Sequence, residues 1–235
     1  MTEQIQISAK NVGAIALPNF CPRCFWLKLK LKGFPFQIFP GIFSSIDSYS
    51  KKIIQSCFDK KELCPPWLSP LGPISGYINS PHYSKFFILD TKYDIKLTGS
   101  PDVVFTKPDK SFIIADYKTA KFTETQDELL PMYEVQLNAY ALIGEQREIK
   151  PVSSLALIYT EPLTEDKDAE DSMNHREEGF ALGFSAHIHT VVLNTKIIEP
   201  LLAKTREVYE MSSIPKGKEG CKDCKLIEAL VKASS

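Results

Sequence analysis

Two cysteine pairs at opposite ends of the sequence restrict this chain more than any other feature. Cys21-Pro22-Arg23-Cys24 lies near the start of the 235 residues and Cys221-Lys222-Asp223-Cys224 near the end. The first residues carry Glu3 and a single lysine before Val12, with no apolar signal-peptide region, which predicts a cytoplasmic protein. In a reducing compartment such pairs point to metal ligation before disulfides. Four thiolates hold either a tetrahedral Zn²⁺ or a [4Fe–4S] cluster, and the residues alone leave both open. Either centre ties the two ends together. Closing so long a loop contributes several kcal/mol to stability. Cys57 and Cys64 are left over, one on the apolar side of an expected helix and one in a proline-rich stretch. No apolar run approaches the ~20 residues of a membrane helix.

A second constraint lies between Gly99 and Lys118. Gly99-Ser100-Pro101-Asp102 leads into Val103-Val104-Phe105, and Phe112-Ile113-Ile114-Ala115 leads into Asp116-Tyr117-Lys118. The Pro108-Asp109 pair between the two apolar runs predicts a tight turn and a β-hairpin. A turn centred on Asp109 sets Asp102 opposite Asp116, and alternation puts Asp116 and Lys118 on one face. Two carboxylates about 4 Å apart repel by roughly 4 kcal/mol at an intermediate dielectric, so such a pair needs a cation or a proton between its members. Carboxylate oxygens suit Mg²⁺ or Mn²⁺, and a lysine beside the ion can orient the attacking water or offset phosphate charge. The residue types fit metal-assisted phosphodiester hydrolysis. A solvated Asp/Asp/Lys face explains the same residues without chemistry.

Farther along, Met132 to Ile149 reads as a helix with Val135, Ala139, Leu142 and Ile143 on its buried stripe. Gln136 and Tyr140, four apart, share a neighbouring face, either gripping substrate or bracing the carboxylates. Packing of Tyr140 at a core edge with Gln136 solvated is the plainer reading. Together, Pro101-Asp102, Asp116-Tyr117-Lys118-Thr119 and Gln136-x-x-x-Tyr140 resemble the PD-(D/E)XK nuclease superfamily. Within it, they resemble the RecB-like nucleases, a group that includes CRISPR-associated exonucleases and the AddB nuclease domain.

That resemblance implies an α/β fold with a mixed central sheet flanked by helices, its two ends joined at a cysteine metal site. It implies a Mg²⁺- or Mn²⁺-dependent deoxyribonuclease acting on single-stranded DNA or DNA ends, in repair, recombination or CRISPR adaptation with protein partners. Asp102 and Asp116 would bind the catalytic ion with the Tyr117 carbonyl, Lys118 would position water, and Gln136 and Tyr140 would contact substrate or brace the site. Members often carry a His or acidic residue on the preceding helix as a further ligand, and Asp47 is the candidate here. Ser44-x-x-Asp47 is equally spaced as a capping box. Iron–sulfur members use one cysteine near the start and three near the end. Cys21, Cys221 and Cys224 match, the third late cysteine is missing, and Cys24 restores the count, which favours a [4Fe–4S] cluster over zinc. A DNA-binding subunit that keeps the fold without useful catalysis, or one dependent on a partner, is the alternative.

The length suits one domain spanning 1–235. Ser44 to Phe58 reads as a helix with Ile46, Ile53, Ile54 and Cys57 on one side, and 63–81 as an irregular proline-rich connection. Strands are expected over Phe86–Leu97, Ser153–Thr160 and Phe180–Leu193, and helices over Thr195–Met211 and after Cys224. Phe20 to Lys32 alternates with period two, which suggests a strand, whereas the resemblance implies a helix at this place, and both readings stay open. Net charge is −1, but 161–178 carries −6 as an exposed, flexible acidic loop, leaving +5 elsewhere. Basic residues gather at Arg23, Lys28, Lys30 and Lys32, at Lys107, Lys110, Lys118 and Lys121, and at Lys216, Lys218, Lys222 and Lys225. A local basic channel for nucleic acid needs no extreme overall charge.

Overall fold

The computed structural model describes residues 3–31, 40–61, 63–123 and 128–234. The motif hairpin is its centre. Strands β5 (Val103–Thr106) and β6 (Phe112–Lys118) pair antiparallel with Val103 opposite Ala115 and Thr106 opposite Phe112, the register a turn at Asp109 demands. The Asp109 carboxylate closes the turn by accepting from the Ser111 N–H at 2.9 Å, and Lys110 takes a positive φ of 66°.

Helix α4 (Leu130–Glu145) follows β6 and returns the chain to β7 (Val152–Pro162), which pairs parallel to β6. Parallel neighbours require such a crossover. With β2 (Gly76–Ile78) and β10 (Phe184–Val191) the mixed sheet runs β10-β7-β6-β5-β2. A smaller sheet joins β1 (Ile5–Ser8), β3 (Phe87–Asp90) and β4 (Ile95–Thr98) in the order β1-β4-β3. Helices cover both faces of the large sheet. Alternate residues of β6 divide between two cores: Ile114 packs with α4, while Ile113, Ala115 and Tyr117 pack with Ile54 of helix α3 (Gly41–Lys61), Leu68 and Leu71. Asp116 shares the parity of Ile114 and so lies on the α4 face.

Several expectations change. Phe20 to Lys32 is not a strand: Pro22–Lys30 forms helix α2, and Lys32 lies outside the described residues. Pro22 opens the helix, and Phe25, Trp26 and Leu29 turn onto the core at helical spacing, which overrides the Leu-Lys alternation. Phe86–Leu97 is two antiparallel strands, broken where Asp94 takes a φ of 50°. The proline-rich connection contains β2. On α3, Ile54 is buried but Ile53 is exposed, so the two do not share a face. Burial on α4 is wider than one stripe: every residue from Val135 to Ala141 is buried, Gln136 and Asn138 included, while Leu142 is half-buried. The acidic segment is exposed but carries short helix α5 (Asp166–Glu170), and β8 (His175–Arg176) pairs with β9 (Gly179–Phe180). Helix α6 (Ile198–Tyr209) stands where a helix was expected, and α7 (Lys222–Ser234) starts before Cys224 rather than after it. Among the described residues no helix is long and apolar enough to cross a membrane.

Gly99 marks where the two sheets meet the site. A Cβ there would stand 2.6 Å from two ring carbons of Tyr140, whose hydroxyl accepts from Gln136 at 2.7 Å. The ring cannot withdraw cheaply from that bond. Gly99→Ala is expected to lower stability by about 1–3 kcal/mol, the ordinary cost of overpacking, as read by thermal denaturation. A variant as stable as the parent would mean that Tyr140 is not held.

Candidate active site and metal centre

Strand β5 starts only at Val103, while its antiparallel partner β6 runs past that edge to Lys118. Beyond that edge the Tyr117 N–H donates to Asp102 Oδ2 at 2.9 Å instead of to a strand carbonyl. The N–H and C=O of one strand residue face the same neighbour, so the Tyr117 carbonyl points to the Asp102 side as well. Asp116 is buried, and the Asp102 carboxyl is close enough to act on its ionisation. Lys118 Nζ is 2.5 Å from Asp116 Oδ2 and 3.8 Å from the centre of the Tyr133 ring. Gln136 Nε2 sits 3.4 Å from Asp116 Oδ1 and donates to the Tyr140 hydroxyl, while Gln136 Oε1 is buried with no hydrogen-bond partner among the described residues. Asp102, Asp116, Lys118, Gln136 and Tyr140 are thus brought together, with Gln136 buried rather than solvated.

Burial and the nearby Asp102 push the Asp116 carboxyl up to about 7, against the pull of Lys118. A carboxyl raised above its unfolded value binds its proton more tightly in the folded chain. Its contribution therefore favours folding below the unfolded value of 3.8 and is lost as pH rises through about 7. For metal-free protein, Asp116→Asn is expected to melt above the parent at about pH 8, with the gap shrinking toward about pH 5. A gap that stays flat across this window would contradict the origin given for the shift.

Asp47 does not cap its helix, because α3 begins at Gly41 and Ser44 lies inside it. The Asp47 carboxylate pairs instead with Lys51 at 2.9 Å, and the same ammonium reaches Asp102 Oδ1 at 2.8 Å. Burial works against the Lys51 charge, but Asp102 and Asp47 hold its ammonium above its ordinary value. Sequence reasoning missed Lys51. The available signal was its i, i+4 spacing from Asp47.

Two of the basic residues grouped with Lys118 in the sequence stand away from the carboxylates. Lys107 and Lys110 flank the turn, at the far end of a seven-residue strand from Lys118, roughly 20 Å away at ~3.3 Å per residue. Arg23 pairs with Glu228 at 2.5 Å, and the Lys30 ammonium lies 3.4 Å from the centre of the Tyr209 ring.

The cysteine pairs meet as the ends of α2 and α7 meet. Cys21 Sγ is 3.5 Å from Cys224 Sγ, and Cys24 Sγ is 3.6 Å from Cys221 Sγ and 3.5 Å from Cys224 Sγ. All four sulfurs lie within 4.8 Å of one another, and all are free thiols. Each pair straddles the start of a helix, where the macrodipole favours thiolate. Burial opposes ionisation of Cys21, yet the Cys24 and Lys218 N–H groups hold it down at about 7; burial pushes Cys224 up to about 11. Cys21 forms a thiolate easily while burial makes Cys24 and Cys224 resist, as expected of clustered sulfurs that need a cation to share. Gly217 is what lets the chain pass: a Cβ there would stand 2.8 Å from Cys224 Sγ.

A family model described as the PD-(D/E)XK nuclease superfamily matches residues 75–229, about two thirds of the chain. The chain belongs to the PD-(D/E)XK nuclease superfamily. The span shared with this superfamily takes in the motif hairpin, α4, Cys221 and Cys224, and leaves Cys21, Cys24, Asp47 and Lys51 outside. No curated protein matches the chain. A solved structure titled "Crystal structure of SSO0001" aligns at a TM-score of 0.41 and 13% identity, covering 90% of this chain and 80% of that one. That likeness is too distant to add to what the superfamily assignment says. As a PD-(D/E)XK nuclease-superfamily protein the chain has a fold associated with metal-dependent nuclease activity.

Proposed function

We propose that this chain is a Mg²⁺- or Mn²⁺-dependent deoxyribonuclease of RecB-like kind, acting on single-stranded DNA or DNA ends. The observation that carries this reading is the convergence of Asp102, Asp116 and Lys118 beyond the Val103 end of β5. The donor set fits a hard divalent ion: two close carboxylates, the Tyr117 carbonyl on the same side, and a buried Gln136 oxygen lacking a donor among the described residues. When bound, such an ion supplies Lewis-acid polarisation of a phosphoryl oxygen and a water of lowered pKa. The protein's own part is positional. Lys118 holds the attacking water or the phosphate charge beside Asp116, and Gln136 with Tyr140 fixes the Asp116 carboxylate from behind. Burial on the α4 face keeps bulk water from screening these charges.

One observation favours binding without catalysis: Asp47, the candidate further ligand, is tied to Lys51. The same experiment separates the two readings. End-labelled single- and double-stranded DNA is incubated with Mn²⁺ and either the parent or Lys118→Ala. Mn²⁺-dependent products from the parent alone support the enzyme. DNA retained without products supports the binding subunit.

For the cysteine centre we infer zinc, in place of the cluster that the resemblance favoured. A tetrahedral ion with Zn–S arms of ~2.3 Å separates its sulfurs by about 3.8 Å. The separations of 3.5 and 3.6 Å match that edge. In a cubane each thiolate caps a different iron, and the sulfurs stand farther apart than the ligands of one ion. Elemental analysis of aerobically and anaerobically prepared protein tests this. Iron with absorbance near 400 nm would reverse it.

A further inference from the structure

The three carboxylates around the candidate centre are not equivalent. Asp116 carries Lys118 at 2.5 Å. Asp102 carries Lys51 on one oxygen and the Tyr117 N–H on the other, at 2.8 and 2.9 Å. Asp47 faces the centre across the Lys51 ammonium, 2.9 Å away. A divalent ion shared by Asp102 and Asp116 would lie on the side where those two carboxyls approach each other. A second ion, shared by Asp102 and Asp47, would require the position that Lys51 Nζ takes. Lys51 projects from the middle of α3, one turn before the buried Ile54, so the ammonium sits on a helix anchored in the core.

We propose that Lys51 is a fixed cation standing where a second divalent ion would bridge Asp47 and Asp102, so that the centre takes one divalent ion, on Asp102 and Asp116. Asp47 is then a positioning residue for Lys51 and not a metal ligand. The inference rests on reading Asp102 and Asp116 as a metal centre. It adds a reason for the charge pattern of α3: a helix expected to contribute a ligand contributes a carboxylate and its own counter-ion.

Mn²⁺ binding to the full chain, with its cysteine site zinc-loaded, tests this without reference to cleavage. Free Mn²⁺ is followed by electron paramagnetic resonance during titration of the parent, Lys51→Met, Asp47→Asn and Asp116→Asn. The parent is expected to bind one ion, lost in Asp116→Asn. Removing the competing ammonium in Lys51→Met is expected to tighten binding at least tenfold or admit a second ion. Asp47→Asn is expected to leave affinity within about threefold. Two ions on the parent would overturn the proposal, as would Lys51→Met with unchanged count and affinity, or a tenfold loss in Asp47→Asn. If the parent binds no Mn²⁺, the metal-centre reading itself fails and this one with it. Circular dichroism of each variant confirms that α3 is intact, and Asp47→Asn decides between the outcomes should Lys51→Met fold poorly.

Discussion

Lys118→Ala is expected to reduce Mn²⁺-dependent cleavage by about 10²–10³-fold while leaving DNA retention largely in place. Removing one preorganised electrostatic group from an active site costs about 10²–10³ in rate, and Lys118 is the ammonium assigned to the attacking water or the phosphate charge. Its ammonium is 2.5 Å from Asp116, buried at 4% exposure, and it lies against the Tyr133 ring, so its geometry is fixed before any substrate arrives. Alanine also leaves Asp116 beside Asp102 with the Lys118 charge gone. The metal-free variant should therefore melt below the parent at neutral pH, and added Mn²⁺ should restore part of the difference. Asp116→Asn gives the contrasting pattern, with cleavage lost but stability at neutral pH kept or raised. Products from Lys118→Ala equal to those of the parent would defeat the assignment of this lysine.

Loss of the cysteine centre is expected to be the largest stability effect. Cross-linking a loop of nearly 200 residues, from Cys24 to Cys221, is worth about 5 kcal/mol by chain-entropy reasoning. For a domain of this size each kcal/mol moves the melting temperature by roughly 2–4 °C, so Cys24→Ser or exhaustive chelation should lower it by roughly 10–20 °C. Zinc release should accompany the fall, one ion per chain. Cleavage at low temperature should survive, because the carboxylates are held by the hairpin and α4 rather than by α2 or α7. A chelated protein with an unchanged melting temperature would mean that the four thiols meet without a metal.

The hairpin was readable because its determinants are local. Pro108-Asp109 sets the turn, the turn sets the register, and the register sets Asp102 against Asp116. The Gln136 and Tyr140 pair followed from helical spacing, although their near-complete burial did not, since it comes from two sheets closing on α4. Residues 20–32 stayed open between strand and helix because a Leu-Lys alternation imitates a strand, and only the docking of Phe25, Trp26 and Leu29 reveals the helical face of 22–30. The division of 86–97 into two strands depends on one residue, Asp94, entering the left-handed region. Lys51 was beyond sequence reasoning for another reason. Its role requires α3 to lie against a hairpin that begins some fifty residues later, and such a placement leaves no trace in local periodicity.

The meeting of α2 with α7 also sets an order of events during synthesis. Everything from β1 to α6 can emerge and begin to pack, yet the sulfur cage is incomplete until Cys224 has left the ribosome. Contacts of such long separation form late, because chain closure must precede any gain from them. Until then Cys21 and Cys24 are a bare thiol pair on a young helix, open to oxidation or to borrowing the wrong ion. On the zinc reading, ion loading has to wait for Cys224 and so follows the hairpin that brings the two carboxylates together.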